Sequence, residues 1–133
     1  MNTNGTHILI DGWEPRNRKL LTDVDAAYVI AKRAIEVGKF HPLEDIYHIF
    51  DSGGYSLVVL LKESHVSIHT YPEHDYAAID FYGCGDRKDA YESLRYLLKE
   101  FSFRNHSFRI IRRGVRNKLG DMNLDVETLL GRR

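Results

Sequence analysis

The sequence predicts an α+β fold, a two-layer sandwich in which a mainly antiparallel sheet has two helices packed on one face. The first supporting observation is the order of segments, which runs strand, helix, several strands, helix, strand. The second is that the links between the middle strands have hairpin length, which favours antiparallel pairing. The third is that both helical segments are amphipathic, so each has one apolar face to bury against the sheet.

The N-terminal part of the chain predicts a strand followed by a helix. Residues 7–10 form a short β-prone run that stops at an Asp-Gly pair, and residues 13–21 are typical of a connection. The helix is expected to have Thr22 or Asp23 as its N-cap and Gly38 as its C-cap. Its apolar positions recur every three or four residues and are Val24, Tyr28, Ala31 and Ile35.

The middle of the chain predicts four consecutive strands. Residues 46–50 have strand character, and the turn signal at residues 51–54 leads into residues 55–62, whose continuous apolar centre is typical of a strand buried on both faces. Residues 66–70 alternate apolar and polar side chains, which predicts a half-buried strand, and residues 76–82 give another strand.

The C-terminal part predicts a second helix and a last strand. A Gly-Cys-Gly sequence ends the preceding strand, and the helix is expected to begin near Asp86. Its apolar face consists of Tyr91, Leu94, Leu97, Leu98 and Phe101. Residues 108–111 predict a short strand, and the weak periodicity beyond Gly114 predicts partial disorder.

Composition restricts the class of protein. The 133 residues (15.5 kDa) predict a single domain, residues 1–133, without a second module. A net charge of zero lacks the basic excess that drives nucleic-acid binding. The single cysteine, Cys84, cannot form an internal disulfide, which favours a cytoplasmic location. The polar N-terminus and the absence of a run of ~20 apolar residues predict neither a signal peptide nor a membrane span.

Reactive side chains are concentrated in residues 63–85, ESHVSIHTYPEHDYAAIDFYGCG. One interpretation is a metal site, since imidazole and thiolate bind zinc. The candidate ligands are His65, His69, His74 and Cys84. On a strand, however, His65 and His69 lie about 13 Å apart, too far to share an ion. No metal is therefore expected.

A second interpretation is nucleophilic hydrolysis, with Ser64 or Cys84 activated by His69 and a carboxylate. The Gly-x-Ser-x-Gly motif is absent, because Glu63 precedes Ser64. The Gly-Cys-Gly turn is expected to expose Cys84, so a reactive thiol stays open beside the alternative of a buried structural cysteine.

A third interpretation is self-cleavage between Glu63 and Ser64. If the Ser64 hydroxyl is pressed against the Glu63 carbonyl, the peptide can rearrange to an ester. When a base then removes the Ser64 α-proton, the main-chain carboxylate of Glu63 is eliminated and dehydroalanine remains. Hydrolysis of this dehydroalanine gives a pyruvoyl group. Such a ketone can form a Schiff base with an amine substrate and act as an electron sink for decarboxylation.

The same region carries a family resemblance. The run ESHVSIHTYPE at residues 63–73, the run YAAID at residues 76–80 and the Cys84-Gly85 pair together resemble the signature of the short prokaryotic S-adenosylmethionine decarboxylase proenzymes. The similarity extends from about His48 to Tyr96, whereas the first 45 residues agree mainly in pattern. The chain is identified as a member of this pyruvoyl-dependent family.

The resemblance implies roles for the reactive residues. The chain is expected to split into a β chain (residues 1–63) and an α chain (residues 64–133) that begins with a pyruvoyl group made from Ser64. The resemblance makes His69 the proton acceptor in processing, Ser56 a residue that promotes it, and Cys84 the proton donor in decarboxylation. An imidazole that titrates near neutral pH and a protonated thiol suit these tasks.

The resemblance also implies a substrate and an assembly. Phe50 and Tyr71 are expected to stack on the adenine of S-adenosylmethionine, and Glu73 is expected to bind the ribose hydroxyls. The implied product is the aminopropyl donor for spermidine and other polyamines. A homodimer of processed αβ protomers is expected, and neither nucleic acid nor membrane is expected as a partner.

Three departures from the family pattern bear on the substrate. Family members commonly have Trp where Tyr71 stands, Gly where Asp75 stands and Thr where Gly83 stands. Tyr71 keeps a stacking face. Close relatives decarboxylate arginine or ornithine, and Asp75 is able to attract a basic side chain, although a solvated loop carboxylate is favoured. Glu73 favours a ribose-bearing substrate, so S-adenosylmethionine is the first choice and arginine or ornithine the alternative.

The segment from Arg104 to Lys118 is basic and suggests a different class of function. An anion- or nucleic-acid-binding module is one interpretation of it. A solvated edge strand is favoured instead, because basic side chains discourage edge-to-edge pairing and no RNA-binding motif is present. Contact between subunits is a further possible use of these residues.

Overall fold

The computed structural model describes residues 3–84 and 87–115 and confirms the predicted α+β fold. Within these residues six strands and two helices follow one another in the predicted order. They are β1 (Gly5–Pro15), α1 (Val24–Val37), β2 (Pro42–Ile49), β3 (Tyr55–Leu61), β4 (His65–Tyr71), β5 (Tyr76–Cys84), α2 (Arg87–Phe101) and β6 (Phe103–Arg113). No helix in this part of the chain is long and apolar enough to cross a membrane.

The strands form one antiparallel sheet in the order β2-β3-β4-β5-β1-β6. Strands β2 to β5 follow one another as neighbours, as their short links predicted. Strand β1 instead lies between β5 and β6, and it pairs along almost its whole length with both. The sheet therefore has β2 and β6 at its edges.

The two helices cover one face of the sheet and enclose the core. The side chain of Asp23 accepts a hydrogen bond from the Ala26 amide, so it is the N-cap of α1, and Gly38 is the C-cap as predicted. The Ser93 hydroxyl of α2 donates to the Ala34 carbonyl of α1 at 2.6 Å and joins the helices. Apolar side chains from both helices and from alternate strand positions pack between the two layers.

Within residues 3–84 and 87–115 the opposite face of the sheet has no covering layer, and we call it the open face. The prediction that residues 55–62 are buried on both sides is wrong. Tyr55 and Leu57 on the helix side are 0% and 1% exposed, whereas Val58 and Leu60 on the open side are 37% and 46% exposed. The reason is that both helices lie on the same side, so apolar residues at successive positions meet opposite environments.

Several elements are longer than predicted. Strand β1 continues past the Asp-Gly pair to Pro15, because neighbours on both sides supply hydrogen-bonding partners there. The ring of Phe103 occupies the space where a Cβ on Gly12 would lie, so glycine allows this close packing. Only the residues after Pro15 form the predicted connection, which includes a 3₁₀ turn at Arg18–Leu21.

The edge strands also extend beyond their predicted bounds. Strand β2 begins at Pro42, and all eight of its residues are exposed, since it is an edge strand beyond the reach of the helices. Strand β6 runs over Phe103–Arg113. The expected helix start near Asp86 and most of the tail predicted to be partly disordered, residues 116–133, lie outside the described residues.

Candidate active site

The open face carries the reactive side chains in two separate groups. We call Glu63, Ser64 and Cys84 the turn cluster, because they lie at and beside the β3–β4 turn. We call Phe50, Ser56, His69 and Tyr71 the sheet cluster, because they lie around the pair that β3 and β4 form at Ser56 and His69.

The turn cluster brings Ser64 to Cys84. The Leu61 amide donates to the Ser64 carbonyl at 2.8 Å, which closes the turn between β3 and β4. Cys84 is the last residue of β5, and its Sγ lies 3.9 Å from the Oγ of Ser64. Both side chains are half-buried. Ser64 and Cys84, to which the family resemblance assigns cleavage and proton donation, are therefore in contact.

The carboxylate of Glu63 is held by a residue that the sequence analysis did not single out. Oε1 accepts the backbone N–H of His41 at 3.1 Å, and Oε2 lies 2.7 Å from His41 Nδ1. Burial would raise the pKa of Glu63, but the hydrogen bonds from His41, a backbone hydrogen bond and the charge of His41 together hold that pKa below its ordinary value. Glu63 is therefore ionised near neutral pH. His41 lies 22 positions away in sequence, so no local pattern pointed to this pair.

The sheet cluster is centred on His69. The Oγ of Ser56 lies 2.5 Å from Nδ1 of His69, across the β3–β4 pair. The imidazole also contacts two aromatic rings, with centroid distances of 5.7 Å to Phe50 and 4.7 Å to Tyr71. Glu73 follows in the 3₁₀ turn at Pro72–His74, where its side chain is exposed. The structure thus groups all the residues that the resemblance assigns to processing assistance and adenine binding.

The two clusters of one chain do not meet. His69 and His65 lie four residues apart on β4, which corresponds to about 13 Å, and Ser64 lies beyond His65. His69 is therefore too far from Ser64 or Cys84 of the same chain to activate either side chain, and intrachain hydrolysis has no support in this geometry. Among the described residues no group of three or more His, Cys, Asp or Glu side chains is arranged to hold a metal ion.

An aromatic row extends the sheet cluster toward β1. Tyr71 stacks on Tyr76 with a centroid distance of 5.6 Å, and Tyr76 lies 5.1 Å from Trp13. The Tyr76 hydroxyl donates to the Asp11 carboxylate, and burial together with this bond raises the pKa of Tyr76 to about 12. Residues 13–21 were predicted to form a connection, so a row that includes Trp13 was not expected. No alternation after the Asp-Gly pair signals it, since Trp13 and Glu14 are both exposed, and this end of β1 depends on its pairing with β5 and β6.

A polar group adjoins the turn cluster. Nε2 of His7 lies 3.1 Å from the Asp80 carboxylate, and the hydrogen bond from His7 lowers the pKa of Asp80 despite its partial burial. Burial lowers the pKa of His65, and the nearby His7 and Arg113 lower it further. The guanidinium of Arg113 lies over the ring of Tyr82, and burial and the neighbouring Cys84 raise the pKa of that phenol.

The departures from the family pattern have structural counterparts. Asp75 has a left-handed backbone (φ 52°), a conformation that glycine favours, and it pairs with Arg18 at 2.6 Å. This carboxylate therefore already has a guanidinium partner within the chain. A Cβ at Gly83 would lie 2.6 Å from the ring of Phe40, which packs on Phe81. Phe40 thus occupies the space that a side chain at position 83 would need.

The described part of the basic segment forms the edge strand β6, as the favoured interpretation expected. Arg104 lies 3.8 Å from Glu14. Arg116 and Lys118 lie outside the described residues.

Known proteins resemble this chain in sequence and in structure. A family model described as S-adenosylmethionine decarboxylase matches residues 6–114. The S-adenosylmethionine decarboxylase proenzyme of Sulfurihydrogenibium sp. (strain YO3AOP1) is 35% identical over 113 residues, which cover 85% of this chain and 84% of the relative. The proenzyme of Thermoplasma volcanium is 36% identical over 110 residues, with 83% and 84% covered.

The crystal structure of the adenosylmethionine decarboxylase from Aquifex aeolicus VF5 has a TM-score of 0.79 to this chain at 30% identity. The match covers 89% of this chain and 97% of that chain. The matched family region runs from β1 to the end of β6 and includes both clusters of the open face. The chain therefore belongs to the S-adenosylmethionine decarboxylase family.

Proposed function

We propose that this chain is a self-processing, pyruvoyl-dependent decarboxylase of S-adenosylmethionine, which supplies the aminopropyl donor for spermidine and other polyamines. Family membership supports the reaction and the substrate. The assignment of residues depends on one observation, the contact between the side chains of Ser64 and Cys84. The residue before Ser64, Glu63, has its side-chain carboxylate held by His41.

Ser64 is the residue that processing consumes. Its Oγ attacks the Glu63 carbonyl carbon, the peptide C–N bond breaks, and an ester joins the two residues. Removal of the Ser64 α-proton expels the main-chain carboxylate of Glu63, which becomes the C-terminus of the β chain, and leaves dehydroalanine. Water converts the dehydroalanine to a pyruvoyl group with release of ammonia. Ser64 lies half-buried at the end of a tight turn, which limits its motion relative to Glu63. This restriction favours the reaction between the two residues.

Cys84 is the proposed general acid in the decarboxylation step. A pyruvoyl group supplies an electron sink for the loss of carbon dioxide from an amino acid. The Sγ of Cys84, already 3.9 Å from the Ser64 side chain, delivers a proton to the substrate α-carbon. The phenol of Tyr82 beside it has a raised pKa and so stays protonated at neutral pH.

His69 reaches the cleavage site from a second copy of the chain. Its separation from Ser64 within one chain leaves each cluster incomplete, and a two-fold dimer that packs open face on open face pairs each turn cluster with the partner's sheet cluster. Exposed apolar side chains suit such packing. They are Leu9, Trp13, Ile46, Phe50, Val58, Leu60 and Tyr71. We therefore propose a homodimer of processed αβ protomers, with His69 as proton acceptor and Ser56 as its support.

The binding groups favour S-adenosylmethionine over arginine or ornithine. Phe50 and Tyr71 are 40% and 39% exposed and offer ring faces to an adenine and to a sulfonium. Glu73 lies two residues after Tyr71, in the 3₁₀ turn, and its exposed carboxylate can accept hydrogen bonds from the ribose hydroxyls. Asp75, the carboxylate that would attract a basic side chain, is paired with Arg18 instead.

Intact-mass analysis and a substrate assay test this proposal. Purified protein should contain one fragment that ends at Glu63 and one that begins with a pyruvoyl group, whereas S64A should stay a single chain. Processed protein should release carbon dioxide from S-adenosylmethionine and not from arginine or ornithine. A single uncut chain in every preparation, or activity in S64A, would contradict the mechanism. Preference for arginine or ornithine would favour the alternative substrates.

A further inference from the structure

The segment that joins α1 to β2 lies directly against the cleavage turn and is itself firmly anchored. The Phe40 amide donates to the Ile35 carbonyl at 3.0 Å, and the Phe40 side chain is only 7% exposed. Its ring packs on Phe81 at 5.2 Å and fills the space beside Gly83, next to Cys84. This buried aromatic anchor gives the following residue, His41, a fixed position.

His41 makes three contacts with the two residues that precede the scissile bond. Its backbone N–H and its Nδ1 bind the two oxygens of the Glu63 carboxylate at 3.1 Å and 2.7 Å. Its carbonyl accepts the Lys62 amide at 2.8 Å. Both the main chain and the side chain on the acyl side of the bond are therefore held from outside the β3–β4 hairpin. We call this set of contacts the His41 clamp.

We propose that His41 is a positioning residue for self-cleavage, acting through the Glu63 carboxylate. The inference rests on the proposed processing reaction. Attack by Ser64 Oγ requires the Glu63 carbonyl carbon at a defined distance and angle, and a short turn alone leaves its peptide planes free to tilt. Fixing the Glu63 side chain and the Lys62 amide limits that tilt.

The alternative is that the His41 clamp only stabilises the fold. Solvent exposure bears on whether the clamp stabilises the fold or positions the turn. The His41 side chain is 69% exposed and that of Glu63 is 21% exposed. A pair so open to water contributes little to global stability. We therefore expect the His41 clamp to affect the geometry of the β3–β4 turn more than the stability of the fold. The rate of self-cleavage depends on this geometry and can be measured.

The test follows cleavage of the newly made chain in a cell-free translation system after a radioactive pulse. H41A should slow the appearance of the two fragments by about 5- to 10-fold, as expected for a lost hydrogen bond to a charged group that is partly exposed. H41N should cleave within about twofold of the wild type, since its side-chain amide can donate from nearly the same position as Nδ1. H106A is the matched control, because His106 is an exposed histidine on β6.

Two further measurements complete the design. Tm compared between S64A and S64A/H41A should differ by less than about 2 °C, and fully processed H41A should decarboxylate as fast as the wild type. Equal cleavage rates for H41A and the wild type, failure of H41N to restore the rate, or a large loss of Tm would each overturn the positioning role. Absence of cleavage in the wild type itself would instead refute the proposed processing reaction.

Discussion

The hydroxyl of Ser56 lies 2.5 Å from Nδ1 of His69, and this pair is fixed by the register of β3 and β4. The same register places His69 four residues from the start of β4, about 13 Å along the strand from His65 and further still from Ser64. His69, the proposed base for processing, is therefore well oriented and yet remote from Ser64 of the same chain. This separation leads to the first prediction.

Mixed dimers should restore processing between two inactive variants. H69A retains the Ser64 that is cleaved, and S64A retains the His69 that assists it. If His69 acts on the partner, H69A should be cut when it is co-expressed with S64A and should stay largely intact alone. Differently tagged chains and intact-mass analysis would distinguish the two. Cleavage of H69A alone at the wild-type rate would contradict the role of His69, and no cleavage in the mixture would contradict its action across the interface.

Removal of the thiol should separate processing from decarboxylation. We expect C84A to yield both fragments and to lose about 100-fold or more in kcat, as is typical when a general acid is removed. The reason is that Cys84 contacts Ser64 but the proposed base for processing is His69. Gel analysis gives the fraction processed, and carbon dioxide release from S-adenosylmethionine gives kcat. Wild-type kcat in fully processed C84A would rule out this acid.

The hydrogen bond between His7 and Asp80 should make the free energy of unfolding depend on pH. The folded-state pKa of Asp80 is lowered, so its contribution to the free energy of unfolding is present above the unfolded pKa, about 3.9, and is lost as pH falls through the lower folded value. D80N removes this contribution. Urea unfolding of S64A and S64A/D80N should therefore show a difference in stability at pH 6 that shrinks toward pH 3. A constant difference would contradict the linkage.

A side chain at position 83 should conflict with Phe40. G83A places a Cβ about where the Phe40 ring lies, and this ring is confined by Phe81, so we expect a loss of about 1–3 kcal/mol in unfolding free energy. F40L should relieve part of the clash, and the double variant F40L/G83A should lose less than the sum of the single losses. Thermal unfolding in the S64A background measures these values. Strictly additive losses would show that the two positions do not compete for space.

The sequence by itself determined the fold class, most of the elements and the place of the β3–β4 turn. These features follow from local patterns: period-two alternation in β4, an apolar stripe in α1 with Asp23 and Gly38 as caps, and a reactive Glu63-Ser64 pair between two strands. The family resemblance in the same region identified the residues of both clusters. Signals of this kind act within a few residues, so no knowledge of distant neighbours was needed.

Only the tertiary structure decided which faces and which remote residues come together. The open side of β3 follows from both helices lying on the other face, and the length of β1 follows from its two distant partners. The contact of His41 with Glu63, the filling of the Gly83 space by Phe40, and the separation of the two clusters likewise depend on how strands pair. Strand pairing is a long-range interaction between segments that carry no local signal for each other, and it is settled by the packing of the whole sheet.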